Sequence, residues 1–218
     1  YKRAHDGETG PNTGGMGAYS PVPAVDAGTL DEIQRTILEP VVGALAKHDT
    51  PMCGVLYAGL MLTADGPKVL EFNARFGDPE TQVVIPILDA DLGELLDAVA
   101  HGHLDESKPI RSKRSAVGVV LASGGYPGAY DTGKVIHGLD DAAAMDDVLL
   151  FHAGTDRNDV GEFVTAGGRV LTVVGIGDDL AAARGRAYAA ADRIRFDGIQ
   201  RREDIALREV TTSNVQGA

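Results

Sequence analysis

The most informative stretch of the sequence is Val69-Leu70-Glu71-Phe72-Asn73-Ala74-Arg75-Phe76-Gly77-Asp78-Pro79-Glu80. Side chains of a β-strand alternate between its two faces, so Leu70 and Phe72 are predicted to point into a core. Glu71 and Asn73 then share the opposite face, and Arg75 continues it if the strand runs that far. A carboxylate and an amide oxygen two residues apart offer hard oxygen ligands for Mg²⁺. An arginine beside them can stabilise charge on a phosphoryl group during transfer.

Alternation alone leaves a second interpretation open, because the same pattern is typical of the solvated face of an antiparallel strand. The residues upstream favour a hairpin in either case. Residues 54–63 are apolar, and the turn Ala64-Asp65-Gly66-Pro67 leads into a second strand over 68–73. An Asp-Gly pair between apolar runs is a hairpin signal.

A glycine-rich segment lies near the start of the chain, with the sequence Gly10-Pro11-Asn12-Thr13-Gly14-Gly15-Met16-Gly17. This density of helix and strand breakers predicts that residues 1–25 are loop-like. Repeated glycine lets backbone N–H groups converge on an anion, and Lys2 and Arg3 can add positive charge for a phosphate. No Gly-Lys-Ser/Thr follows, so it is not a Walker A loop. An ordinary surface loop beside a solvated basic pair is the alternative.

The rest of the chain alternates helices and strands. Helical spacing from Leu30 to Leu45 predicts a helix capped by Asp26 or Thr29, with a kink or break at Pro40. Two further helices are expected, one over 92–101 closed by Gly102 and one over 178–194 capped by Asp178. A linker is expected over 104–114 and a turn at 124–128. Strands are expected at 116–122, 148–153, 161–165 and 168–176. The fold class expected from this order is α+β.

The composition argues against a nucleic-acid-binding protein, a membrane-spanning protein and a disulfide-bonded protein. The 218 residues carry a formal net charge of −12, which argues against nucleic acid or an anionic membrane as the main partner. The longest apolar runs are too short to span a bilayer. Cys53 is the one cysteine, so no intrachain disulfide forms and a reducing cytoplasm is expected. We expect this cysteine to be a small buried residue at a strand start.

Two further patterns are interpreted as structural. His101 and His103 lie at a helix end, where surface polarity explains them better than a metal site does. Gly175-Ile176-Gly177 precedes a helix but lacks the third glycine of a dinucleotide-binding motif, and Asp178 and Asp179 would repel a pyrophosphate.

Longer motifs resemble the glycinamide ribonucleotide synthetase family of ATP-grasp enzymes. In the first half these are Gly10 to Pro21, Leu56-Tyr57-Ala58-Gly59-Leu60-Met61 and Arg75-Phe76-Gly77-Asp78-Pro79-Glu80-Thr81-Gln82. In the second half they are Gly124 to Gly128, Gly133 to Gly138, Phe151 to Thr155 and Thr165 to Leu171. The resemblance covers nearly the whole chain in order. It implies the C-terminal portion of an ATP-grasp catalytic domain over 1–110 and a small α+β domain over 111–218.

The resemblance also implies an activity. ATP phosphorylates glycine, and 5-phosphoribosylamine attacks the glycyl phosphate, giving glycinamide ribonucleotide, ADP and phosphate. By motif match, Glu71 and Asn73 hold Mg²⁺ or Mn²⁺, and Arg75 stabilises the transferred phosphoryl group or the acyl phosphate. The residues expected to contact glycine and phosphoribosylamine are Asn12, Thr13, Gly14, Gly15, Gly17 and Asp78.

The sequence differs from the family pattern at the metal site and in the adenine-binding part. Many ATP-grasp enzymes carry a further metal-binding glutamate on the preceding strand, whereas Gly59-Leu60-Met61-Leu62 offers no carboxylate. The part of the family that binds adenine would precede Tyr1, so this stretch alone is expected to be inactive. The complete protein is expected to be a cytoplasmic monomer. The alternatives are another ATP-grasp ligase of purine metabolism and a non-catalytic binding module that keeps the fold.

Overall fold

The computed structural model describes residues 1–48, 50–104 and 113–216, with side chains described as far as Thr211. Its strands are β1 (Arg3–His5), β2 (Thr9–Asn12), β3 (Gly17–Ser20), β4 (Tyr57–Thr63), β5 (Gly66–Asn73), β6 (Ser115–Ala122), β7 (Val148–His152), β8 (Thr155–Arg157), β9 (Phe163–Thr165) and β10 (Arg169–Gly177). Its α-helices are α1 (Ala27–Ile33), α2 (Glu39–Lys47), α3 (Glu80–Val84), α4 (Leu92–His101), α5 (Leu139–Ala143), α6 (Leu180–Ala191) and α7 (Leu207–Gln216). This mixture confirms the α+β class.

Two compact units interleave along the chain. The first comprises Tyr1–Pro21, Asp78–Ile87 and the described chain from residue 113 onward, and the second comprises Val22–Gly77 and residues 88–104. Three separate segments therefore build the first unit. The division into family domains at residue 110 stays a prediction. Of the predicted linker at 104–114, residues 105–112 lie outside the described residues.

The first unit is built on an antiparallel sheet with strand order β3-β6-β10-β7. Strand β6 is buried along its whole length, as its apolar sequence predicts. Strands β3 and β10 pair with its two edges, and helices α6 and α3 pack against the sheet at this strand. The predicted strands over 148–153, 161–165 and 168–176 correspond to β7, β9 and β10. Strands β1, β2, β3 and β8 were not predicted, and the first three lie in residues 1–25, which look loop-like from their breakers alone.

Helix α6 packs directly on glycines of β10. A Cβ on Gly175 would lie 2.3 Å from the carbonyl oxygen of Ala183, and one on Gly177 would lie 2.6 Å from the amide nitrogen of Ala183. These glycines therefore permit close helix–sheet packing, which agrees with the structural interpretation of this motif. The cap of α6 is Asp179, whose Oδ1 accepts from the N–H of Ala182 at 2.7 Å; the predicted cap, Asp178, is one residue too early.

A buried arginine ties the start of the chain to its C-terminal part. The Arg202 side chain is fully buried and donates to both carboxylate oxygens of Asp204 at 2.7 Å and to Glu8 at 2.7 Å. Burial alone would disfavour the guanidinium charge, but these carboxylates hold the pKa of Arg202 above its ordinary value. Hydrogen bonds from Arg202 in turn lower the pKa of Asp204 to about 2.

The second unit opens with the long helix that the sequence predicts. Asp26 caps it, since its Oδ1 accepts from the N–H of Thr29 at 2.8 Å. Between α1 and α2 the backbone widens into a π-helical turn, Gln34–Leu38, in which the N–H of Glu39 bonds to the carbonyl of Gln34. The irregularity lies immediately before Pro40, as predicted, because proline lacks the N–H that would continue the α-helical pattern.

The predicted hairpin and the following helix are both present in the second unit. Strands β4 and β5 form their own two-stranded antiparallel sheet, and Gly66, with φ +86°, follows the Ala64-Asp65 turn. Helix α4 ends at Gly102 in the left-handed conformation, as predicted. Cys53 precedes β4 and is exposed, so the prediction that it is buried is wrong.

Helices α3, α5 and α7 were not predicted. None of the helices within the described ranges is long and apolar enough to cross a membrane.

Candidate functional site

The β4–β5 hairpin presents the predicted metal ligands. Glu71 pairs with Gly59 across the hairpin, and Asn73 pairs with Tyr57. Both lie within β5 two residues apart, so they share one face of the strand. A Cβ on Gly59 would come within 3.1 Å of Cγ and 3.6 Å of Oε1 of Glu71. Glycine at this position therefore leaves room for the Glu71 side chain to lie across the strand.

The opposite face of this hairpin is not covered as predicted. Leu70 is 59% exposed and Phe72 is 38% exposed, so the prediction that both point into a core is wrong for the described chain. A register shift between Gly59 and Leu60 leaves Leu70 without a cross-strand partner in β4, and the hairpin pairs with no third strand among those that the structure describes. Alternation predicts which side chains share a face, but it does not predict what covers that face.

Arg75 follows β5 and is exposed. Its Nη1 donates to the carbonyl oxygen of the neighbouring Phe76 at 2.9 Å. This local bond orients the guanidinium and uses one of its three nitrogens. The arrangement agrees with a residue that contacts an anion through its remaining N–H groups.

The donor set of this hairpin fits a small divalent cation. Within the described residues, no three His, Cys, Asp or Glu side chains cluster as a metal site. One carboxylate plus one amide oxygen is the kind of limited protein contribution that Mg²⁺ accepts, because phosphate oxygens and water complete its octahedral shell. The residues present therefore suit Mg²⁺ bound together with a phosphate better than a closed protein cage.

The glycine-rich loop belongs to the first unit, and its backbone N–H groups are already bonded. Thr13 donates to the carbonyl of Lys2 at 2.7 Å, and Met16 to that of Tyr1 at 2.8 Å. The N–H of Gly14 bonds to the hydroxyl of Tyr126 at 3.0 Å. The N–H of Gly15 bonds to Oγ1 of Thr13, also at 3.0 Å. These four N–H groups are therefore bonded within the protein, which favours the alternative of an ordinary loop over an anion cradle at 13–16, and a substrate-binding role for the loop stays a prediction.

Two glycines of the loop are required by packing. Gly15 has φ +119°, and a Cβ there would lie 2.6 Å from Cδ of Pro79. A Cβ on Gly17 would lie 2.7 Å from both the carbonyl of Gly118 and Cδ1 of Ile205. Both glycines are buried, so packing alone requires glycine at these positions, and their expected role in substrate binding stays a prediction.

Asp78 and the loop are brought together by Arg169. Nη1 of Arg169 donates to the carbonyl of Gly14 at 3.1 Å and to the carbonyl of Asp78 at 2.9 Å. The same nitrogen lies 3.3 Å from Oδ1 of Asp78, which also accepts from Nε2 of Gln82 at 3.1 Å. Oε1 of Gln82 is buried and has no hydrogen-bond partner within the described chain.

Sequence reasoning assigned no role to Arg169, Tyr126 or Gln82. All three stand inside motifs that carry the family resemblance, but the contacts of Arg169 and Tyr126 with the loop join distant parts of the chain. Local spacing gives no signal for such contacts. Arg3, by contrast, donates from Nη1 to the carbonyl of Gly10 at 2.9 Å, so this guanidinium contributes to the short β1–β2 pair. The phosphate-binding role suggested for Lys2 and Arg3 stays a prediction.

Comparison with known families matches both halves of the chain to one family. The model described as "Phosphoribosylglycinamide synthetase, ATP-grasp (A) domain" matches residues 1–81. The model described as "Phosphoribosylglycinamide synthetase, C domain" matches residues 116–208. The order of the two matches is the order expected from the motifs.

Curated proteins similar to this chain carry consistent names. Phosphoribosylamine–glycine ligase of Streptomyces coelicolor is 52% identical over 211 residues, which are 95% of this chain and 50% of that protein. The ligase of Rhodopirellula baltica is 50% identical over 215 residues, 98% of this chain and 49% of that protein. The trifunctional purine biosynthetic protein adenosine-3 of Gallus gallus is 50% identical over 96% of this chain and 21% of its own length. The chain thus spans about half the length of the single-function relatives.

Solved structures agree at the level of the fold. The crystal structure of phosphoribosylamine–glycine ligase from Thermotoga maritima has a TM-score of 0.80 and 37% identity, covering 94% of this chain and 50% of that one. Biotin carboxylase from Campylobacter jejuni has a TM-score of 0.58 at 15% identity, covering 85% of this chain and 40% of that one. The second likeness concerns the fold alone.

Proposed function

Because the chain belongs to the phosphoribosylglycinamide synthetase family, we propose that the complete protein joins glycine to 5-phosphoribosylamine in purine biosynthesis, using ATP. The observation that carries this proposal is the match of both halves, in order, to the A and C domains of one family. Another ATP-grasp ligase is less favoured, since the biotin carboxylase likeness is weaker in both sequence and structure.

The proposed reaction has two steps. A carboxylate oxygen of glycine attacks the γ-phosphorus of ATP, and the bond to ADP breaks, giving glycyl phosphate. The amine nitrogen of phosphoribosylamine then attacks the carbonyl carbon, the C–O bond to phosphate breaks, and the amine loses a proton. Phosphorylation is needed because oxide is a poor leaving group. The protein must therefore hold its substrates close and keep water from the acyl phosphate.

The residues of the hairpin would serve the first step. Glu71 and Asn73 would hold Mg²⁺ or Mn²⁺, and their shared face on β5 beside Gly59 supports this role. When bound, the ion would screen the negative charge of the ATP phosphates. Arg75 would stabilise the charge of the transferred phosphoryl group with the N–H groups not bonded to Phe76.

The residues of the first unit would serve substrate binding. The segment Asn12 to Gly17 and Asp78 would contact glycine and phosphoribosylamine. This role is supported by the single guanidinium that joins them, Arg169. Asn12 and Gly14 are exposed and therefore accessible to a ligand, whereas Gly15 and Gly17 are buried and would act by shaping the loop.

The test is phosphate release by the complete protein with ATP, Mg²⁺, glycine and freshly prepared phosphoribosylamine. Release should require both substrates. It should fall by at least about 100-fold in Glu71→Gln, since the isosteric amide lacks the anionic ligand. Asp65→Asn, in the turn of the same hairpin, is the matched control and should keep parental rates.

Two results would count against the proposal. Release that does not depend on glycine, from a folded protein, would favour a different ATP-grasp ligase. Binding of nucleotide without any release, whatever substrates are supplied, would favour the non-catalytic binding module.

A further inference from the structure

One nitrogen of the Arg169 guanidinium, Nη1, is bonded to the protein, whereas the edge formed by Nε and Nη2 is not bonded to any described residue. The guanidinium's hydrogen bonds to the described part of the chain all come from Nη1, which contacts the carbonyls of Gly14, Gly15 and Asp78 at 3.1, 3.5 and 2.9 Å. The same nitrogen makes the ion pair with Asp78 at 3.3 Å. Nε and Nη2 make no hydrogen bond to any residue that the structure describes. The side chain is 23% exposed, so solvent reaches part of it.

Gly14 fits closely against this guanidinium. A Cβ at this position would lie 3.0 Å from Cζ, 3.1 Å from Nη2 and 3.2 Å from Nε of Arg169. These distances are shorter than ordinary van der Waals contact, so any larger residue would displace the group. Gly14 needs no unusual backbone conformation, because its φ lies outside the left-handed region. These distances place the Cβ over the face of the guanidinium, so the absence of a side chain lets Gly14 lie against that face without displacing the group.

The edge formed by Nε and Nη2 is suited to bind an oxyanion. The N–H groups of Nε and Nη2 are parallel, and their spacing matches two oxygens of a carboxylate or a phosphate. The neighbouring loop cannot supply this function, because the N–H groups of Thr13 to Met16 are bonded within the protein. An arginine held rigidly by Nη1 also loses little conformational freedom when a ligand binds.

We propose that Arg169 binds an oxyanion of the substrate through Nε and Nη2, while Nη1 holds the glycine-rich loop and Asp78 in place. The inference rests on the proposed function, which supplies two candidate oxyanions: the carboxylate of glycine and the 5-phosphate of phosphoribosylamine. Both share the geometry of paired oxygens, and the experiment distinguishes them.

The experiment measures ligand affinity and Michaelis constants of the complete protein. Calorimetric titrations use glycine and ribose 5-phosphate, a stable probe for the phosphate. Steady-state rates give KM for glycine, phosphoribosylamine and ATP. The variants are Arg169→Gln, which removes both the charge and the paired N–H donors of the guanidinium, and Arg169→Lys, which keeps the charge without the paired donors. The matched control is Arg184→Lys, since Arg184 also binds backbone carbonyls, those of Glu203 and Ile205.

The expected result is a selective loss. Arg169→Gln should raise Kd and KM for one substrate by roughly 10- to 100-fold, as expected for loss of charge-assisted hydrogen bonds. Arg169→Lys should recover part of that loss, and KM for ATP should change less than about two-fold. Loss confined to glycine identifies the carboxylate, and loss confined to ribose 5-phosphate and phosphoribosylamine identifies the phosphate.

A second variant displaces the Arg169 guanidinium without changing the arginine itself. Gly14→Ala should raise the same constant as Arg169→Gln, because its methyl group displaces the guanidinium. Gly185→Ala is the control, since a Cβ there meets nothing within 4 Å.

Three results would overturn the inference. One is unchanged affinity for both ligands in folded Arg169 variants. Another is an equal rise in all three KM values, which would indicate a purely structural clamp. The third is a fall in kcat or stability with unchanged KM. Failure of the proposed function is distinguishable, because it appears in the parent protein as turnover that does not require glycine.

Discussion

Arg169 and Asp78 are joined twice, once through the backbone carbonyl of Asp78 at 2.9 Å and once through its carboxylate at 3.3 Å. They lie 91 residues apart in the chain. This pair fixes the segment Asp78–Ile87 to the first unit together with the glycine-rich loop. The aspartate therefore has a positional role that is separable from any contact with substrate.

The carboxylate of Asp78 should contribute little to stability. It is 48% exposed, and exposed ion pairs are worth less than about 1 kcal/mol. Asp78→Asn keeps the carbonyl bond and an acceptor for Gln82, so the free energy of unfolding should fall by less than about 1 kcal/mol. Urea unfolding measures this, with Asp197→Asn as an exposed control. A loss of several kcal/mol would show that the charge itself is structural.

Gly15→Ala should be strongly destabilising, because φ is +119° and the new methyl group would lie 2.6 Å from Pro79. We expect a loss of roughly 1–3 kcal/mol from backbone strain and overlap. Urea unfolding of the variant beside Gly185→Ala tests this. The control should be stabilised by up to roughly 1 kcal/mol, since alanine favours the helix. Equal stability of the two variants would contradict the packing seen at Gly15.

Acid should remove a contribution that Asp204 makes to stability. Hydrogen bonds from Arg202 lower the pKa of Asp204 from 3.8 to about 2. A carboxyl whose pKa is depressed by folding stabilises the protein above its unfolded pKa, and that stabilisation is lost as pH falls from about 4 to about 2. The depression corresponds to about 2 kcal/mol.

The measurement is the unfolding free energy of the parent and of Asp204→Asn between pH 7 and pH 2.5. The parent should be the more stable at neutral pH, and the difference should shrink by about 2 kcal/mol as the acid limit is approached. Asp197→Asn, which changes a carboxylate that is 87% exposed, is the control. A difference for Asp204→Asn that does not depend on pH would contradict the role of Arg202.

Gly59→Ala should disturb the proposed metal site without altering the fold. The methyl group would lie 3.1 Å from Cγ of Glu71, so the carboxylate must move. Displacing a ligand in this way should raise the Mg²⁺ concentration for half-maximal turnover by roughly 10-fold. Gly43→Ala is the control, since a Cβ there meets nothing within 4 Å. Unchanged Mg²⁺ dependence would argue that Glu71 is not a ligand.

The features predicted correctly are those with local causes. The hairpin follows from Asp65 and Gly66 between apolar runs, and the cap at Asp26 and the end of α4 at Gly102 follow from local backbone chemistry. The irregular turn before Pro40 follows from one missing N–H group. Each of these signals lies within a few residues of the structure it predicts.

The features missed have distant causes. Strand β3 looks like loop, but β6 stabilises it by pairing Ala18 with Gly118, far along the chain. Arg169 reaches the loop across 155 residues, so no motif length could reveal it. Leu70 was expected to be buried because an alternating pattern identifies a face, whereas burial depends on which other parts of the molecule cover that face.

The interleaved first unit has a consequence for dissecting the protein. Strand β6 is buried along its length and pairs with β3 at one edge, and β3 belongs to the first 21 residues. A polypeptide cut at residue 110 would keep β6 but lose this edge partner. Its apolar strand would then offer unsatisfied backbone groups to a second molecule, which is a common route to aggregation. Residues 111–218 expressed alone should therefore self-associate, and adding 1–21 as a separate peptide should restore a dispersed state.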